Sequence, residues 1–210
     1  MSGDLTTEAR DWLTAYAPAP HPDLGRSGVV CPYMVKALRR DYVHMVEFDA
    51  AEGDEALMAL ARELLGELRE RAEGVGSDRI YLVNMVVPYG LPADELKAMV
   101  GRVHAALKPE WVEAGYMLGD FWPEHETIGL HNDDFRPFTS PLPLLGMRHI
   151  VPADLFFFVK HERVPADRLW CLRVFRNIFE GQLNDYWTEQ LEAAEADVLH
   201  ELRELESAAA

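Results

Sequence analysis

Positive charge is scarce in this 210-residue chain: 20 lysines and arginines stand against 36 aspartates and glutamates, a formal net charge of −16. Non-specific nucleic-acid binding and docking on an anionic membrane both need a basic footprint, so neither partner is expected. Much of the acid (Glu192, Glu195, Asp197, Glu201, Glu204, Glu206) lies near the C-terminus and reads as a solvated helix face. Cysteine is almost absent. Cys31 and Cys171 are too few for a disulfide framework. No run approaches the roughly 20 apolar residues of a membrane span, and Leu155 to Val159 is far too short. Met1 to Arg10 has neither a basic start nor an apolar stretch, so no secretory leader is expected. These absences together predict a soluble cytoplasmic protein. Also missing are a Gly-x-Gly-x-x-Gly turn after a strand, a Walker-type loop, a Gly-x-Ser-x-Gly elbow, Cys-x-x-Cys and His-Glu-x-x-His. The common nucleotide, hydrolase and zinc-protease readings go with them.

What is present has the periodicity of a mixed α/β protein. A helix is expected from Asp4 to Tyr16, then an extended arm with prolines at 18, 20, 22 and 32 and glycines at 25 and 28. A short helix over 34–40 completes this N-terminal region, residues 1–41. Tyr42 to Phe48 alternates as a strand. Leu57, Leu60, Ala61, Leu64, Leu65 and Leu68 then mark one apolar helix face. Ile80 to Val87 is a near-continuous apolar run, as a strand buried on both faces would be. A helix from Pro92 to Leu107, stopped by Pro109, leads to strands over 112–121 and 144–151. Helices follow from about 152, 165 and 183. The expectation is one globular α/β or α+β domain over 1–182, a single mixed sheet of about four or more strands covered by helices. A long C-terminal helix over 183–210 follows it. The narrow stripe of that helix (Trp187, Leu191, Ala194, Val198, Leu202, Leu205) suits docking in cis or a homodimer.

Chemistry concentrates between Gly115 and Asp154, where His125, His131, His149, Arg136 and Arg148 stand among carboxylates, aromatics and five prolines. Long irregular connections in compact domains are usually functional or disordered, and this one is too aromatic for disorder. His131-Asn132-Asp133 has the His-x-Asp spacing of mononuclear iron sites, with His149, or alternatively His125, as a third ligand. The structural reading is that Asn132 or Asp133 caps a turn. Cys31-Pro32, in an arm that also holds His21, suits a thiolate ligand to haem, against the plainer reading of a small buried hydrophobe. Arg136 and Arg148 are candidates for an acidic substrate, with Tyr116 and Phe135 beside them. His149 falls on the opposite strand face from Arg148. His44 and His104 read as structural.

The blocks HPDLGRSGVVCPY (His21 to Tyr33) and YMLGDF, GLHNDDFRPF, SPLPLL and RHIVPADL (Tyr116 to Leu155) resemble an uncharacterised family of actinobacterial proteins. The resemblance implies that the two blocks meet in the fold, and a role in specialised metabolism. The functional expectation is a small-molecule enzyme, oxidative and dependent on haem or non-haem iron, acting on an acidic or amino-acid-like substrate. Its alternatives are a non-catalytic ligand-binding or accessory protein, and a cofactor-independent acid–base enzyme using His131 or His149 with Asp133.

Overall fold

Four short apolar runs become one sheet in a computed structural model, which describes residues 5–209. The strands are β1 (Val43–Asp49), β2 (Val83–Tyr89), β3 (Tyr116–Phe121) and β4 (Leu144–His149), in the order β1-β2-β4-β3. β1 and β2 are parallel; β4 runs antiparallel to both of its neighbours. The sheet is mixed, and the architecture is the α/β one expected. The chain forms two compact units, one of residues up to 111 with 116–149, the other of 112–115 with 150 onward.

In the first unit, α1 (Leu5–Tyr16) and α2 (Pro32–Arg39) pack on the sheet face that carries Val43, Val83, Met85, Val87 and Leu144. The expected first residue of α1, Asp4, lies outside the described residues. Helix α3 (Asp54–Val75) follows β1, burying Leu57, Ala61, Leu64, Leu65 and Leu68 along the predicted stripe. Asn84 fixes it to the sheet: fully buried in the apolar run of β2, it donates to Leu64 O at 2.7 Å. Its Oδ1 accepts from Arg71 Nη1 at 2.6 Å, so no polar atom of the amide is wasted. Helix α4 (Ala93–Glu113) connects β2 to β3.

Several boundaries differ from the sequence reading. Residues 76–81 form a 3-10 helix, and β2 starts only at Val83. Gly76 at φ +57° and the Lys36–Asp78 ion pair at 2.6 Å hold this turn in place of a strand. Pro109 does not end α4. The helix continues to Glu113 with Trp111 and Val112 buried, and that burial offsets the roughly 3 kcal/mol of an interior proline. β3 accordingly begins at Tyr116, after Gly115 at φ +84° has closed the helix.

Gly119 and Gly146 sit opposite each other in β3 and β4. A Cβ on either would stand 3.3 Å from Phe121 Cε2, so the two glycines make room for that ring. Gly146→Ala is expected to push Phe121 aside and to cost about 1–3 kcal/mol in urea denaturation; an unchanged midpoint would show that the slot is not tight.

The second unit contains α5 (Leu155–His161), α6 (Pro165–Ile178) and α7 (Asp185–Ala209). Asp154, 1% exposed, accepts from Val151 N at 2.8 Å and closes the turn that leads into α5. Helices α6 and α7 pack together, with Leu169, Leu172 and Phe175 buried on one and Leu191 and Val198 on the other. Arg168–Glu201 and Arg176–Glu195 pair across them at 2.8 and 2.6 Å. The centre of the C-terminal stripe is therefore spent in cis, against α6. No helix among the described residues is long and apolar enough to cross a membrane.

Candidate functional site

The two dense blocks of sequence meet. The arm after α1 folds back on itself, with Val30 N donating to Ala19 O at 2.9 Å and Cys31 N to Ala17 O at 2.8 Å. Within it a 3-10 turn, Pro22–Leu24, ends at Gly25 with φ +76°. The 122–143 connection makes its own tight loop: Asn132 Oδ1 accepts from Asp134 N at 3.0 Å, and Gly129 N donates to Phe135 O at 2.8 Å. The other end of the Asn132 amide joins the two, donating to Asp23 O at 2.9 Å. Beside this link the arm lies so close to the loop that a Cβ on Gly25 would stand 2.7 Å from His131 O. The short HND motif is thus a turn organised by its middle residue.

Helix α1 supplies the third wall. Trp12 and Tyr16, one turn apart and so on one helix face, stack at 5.6 Å with 17° between their planes. Tyr16 reaches across to donate to Pro137 O at 3.2 Å, and burial pushes its phenol up to about 12. These walls border an open cleft of about 350 Å³ lined by Trp12, Tyr16, His21 and Asp23 on one side and Asp134, Phe135, Arg136 and Thr139 on the other. That volume suits a small metabolite.

The lining is aromatic on one side and charged on the other. The His21 ring lies 4.8 Å from that of Phe135, and its Nδ1 accepts from Asp23 N at 3.2 Å. That bond leaves the proton of a neutral ring on Nε2. Arg136 uses Nη1 to donate to Asp133 O and, at 3.1 Å, to Phe135 O. Its Nε and Nη2 make no hydrogen bond among the described residues, so one edge of the guanidinium remains to receive a ligand.

A buried clamp holds the beginning of the same connection. Asp120, on β3, lies between His104 of α4, at 3.4 Å from Nδ1, and His125 of the connection, at 3.6 Å from Nε2. His104 Nε2 meets Leu118 O at 3.1 Å, while His125 Nδ1 accepts from Thr127 N at 3.2 Å. His125 is 4% exposed and stacks on Trp122 at 4.0 Å. Burial pushes the Asp120 carboxyl up, but His125 and the charge of His104 outweigh it and hold it below the usual carboxylate range. Trp122 in turn bridges to Thr139 of the cleft.

The residues singled out from sequence fall in separate places. His21, Phe135 and Arg136 line the cleft. His131 and Asp133 are exposed on the loop that holds Asn132. Tyr116 and His149 face each other, ring to ring, at 4.4 Å across β3 and β4. Arg148 lies 5.9 Å from the Tyr33 ring, and alternation puts it on the opposite sheet face from His149. Cys31 is the residue before α2 and packs against the α1–α2 core. Among the described residues no group of three or more His, Cys, Asp or Glu is arranged to hold a metal ion. Trp12, Tyr16, Asp23 and Asp134 are additions to the predicted site. Two aromatics four residues apart on a helix that leads into a proline-rich arm were the available signal for the first two.

A family model for a domain of unknown function, DUF6875, matches residues 6–190. No curated protein and no solved structure matches the chain.

Proposed function

We propose, for a chain that belongs to the DUF6875 family of domains of unknown function, that it binds a small amino-acid-like molecule in the cleft between α1, the arm and the 122–143 connection. One observation carries this reading: a metabolite-sized cleft has a guanidinium edge, two carboxylates and a stacked aromatic pair on its walls. A ligand carboxylate pairs with Arg136, where a planar fork matches two oxygens. A ligand ammonium meets Asp23 or Asp134, and its apolar body lies on Trp12 and Tyr16. The reading rests on the groups of the cleft itself and calls on neither iron nor haem.

Calorimetric titration with amino acids, the matching amines and the matching carboxylic acids tests it. The zwitterions are expected to bind best, and Arg136→Ala to weaken them by about tenfold or more. No heat at millimolar ligand, or equal binding by Arg136→Ala, would remove the proposal. A second reading, turnover of the bound molecule, is favoured by His21, since imidazole in a ligand cleft is well suited to moving a proton. It requires a His21→Gln variant that still binds ligand but no longer converts it.

A further inference from the structure

A second cluster shares no residue with the cleft. His149 and Tyr116 lie on the face of the sheet that α3 covers, and Arg69 of α3 sets its guanidinium 5.5 Å over the Tyr116 ring. Arg79 comes from the 3-10 turn that leads into β2. Several other arginines of this acidic chain pair with carboxylates: Arg62 with Glu110, Arg102 with Asp54, Arg168 with Glu201, Arg176 with Glu195. Arg69 and Arg79 have no such partner among the described residues, although carboxylates outnumber basic groups 36 to 20. Both are exposed, so their heads are accessible. Nε2 of His149, by contrast, is fully buried and has no hydrogen-bond partner among the described residues. A ring nitrogen without a hydrogen-bond partner thus stands near two accessible cations that no carboxylate neutralises, a combination that suits an anionic acceptor.

We infer that Arg69, Arg79 and His149 bind a phosphate group, either free or as the ester of a small molecule. Two guanidinium forks and one imidazole N–H supply donors for three oxygens of a tetrahedral dianion. Burial together with the charges of Arg79 and Arg148 pushes the His149 ring down to about 4, so near neutrality it is an uncharged donor in a positive environment. A bound anion reverses that electrostatic penalty, and the ring then gains its proton at higher pH.

The test is an NMR titration of the full-length protein with inorganic phosphate at constant ionic strength. It follows the imidazole carbon-bound protons, with the His149 resonance identified by its loss in His149→Gln. The His149 signal is expected to shift saturably and its titration midpoint to move upward. Arg69→Ala and Arg79→Ala should each weaken phosphate about tenfold, while Arg173→Ala, which removes an exposed charge from α6, should leave it unchanged. Tighter binding of glycerol 3-phosphate assigns the site to an ester; equal or weaker binding assigns it to free phosphate. A His149 signal indifferent to phosphate overturns the inference, and so does wild-type affinity in Arg79→Ala. The wild-type titration stands alone even where Arg69→Ala disturbs Tyr116.

Discussion

Gly25→Ala is expected to lower stability by about 2–4 kcal/mol and to abolish ligand binding in the cleft. Two independent costs combine. At φ +76° an L-residue pays roughly 1–2 kcal/mol for the left-handed conformation. The added methyl also stands 2.7 Å from His131 O and 2.8 Å from His131 C, which are backbone atoms that no rotamer change can remove. Overpacking of that kind costs typically 1–3 kcal/mol. Relief requires the arm and the loop to separate, and the separation breaks the bond from Asn132 to Asp23 O. Thermal unfolding and ligand titration of one preparation measure both effects. An alanine variant with unchanged melting temperature and affinity would mean that the junction is not close-packed.

The second large effect belongs to Asp120. Replacing it with alanine leaves His125, 4% exposed, facing a void, and removes the negative charge from between two rings. A loss of about 2–4 kcal/mol at pH 7 is expected from stranding a buried polar pair. The pH dependence identifies the charge as the cause. Because the folded carboxyl titrates below its unfolded value, its contribution is complete above about pH 4 and fades as pH falls through the folded pKa. Urea denaturation at pH 7 and again near pH 3 should therefore show the gap between wild type and Asp120→Ala shrinking in acid. Asp120→Asn, of the same shape but uncharged, should fall between the two at pH 7. A gap that is constant with pH would assign the effect to packing instead.

The parts of this protein legible in its sequence are those fixed by local periodicity. Leu57 to Leu68 repeat at the helical spacing and form the buried face of α3; the apolar run ending at Val87 becomes an inner strand. Where a local signal competes with burial, burial prevails, as at Pro109, which the helix crosses to bury Trp111. The site was legible as two dense blocks and three of its lining residues, His21, Phe135 and Arg136. Its assembly was not. Whether Asn132 or its neighbours His131 and Asp133 does the structural work depends on loop dihedrals that no period encodes. The meeting of His104 with Asp120 depends on how α4 lies against β3. Asn84 was hidden for the opposite reason: a polar residue within an apolar run carries no sign of the Leu64 carbonyl and Arg71 fork that await it.

The amide of Asn132 joins groups 109 positions apart in the chain. A contact of that sequence separation forms only after most of the intervening chain has been ordered, because closing so long a loop in an unfolded chain is entropically costly. The arm, tied to the loop by few bonds at its exposed edge, is also a natural place for the first local opening of the native state. The cleft is thus expected to close late in folding and to open before the sheet beneath it. A ligand that bridges Arg136 and Asp23 binds only the closed form and is linked to this opening equilibrium, so its affinity is set partly by how often the arm is already in place.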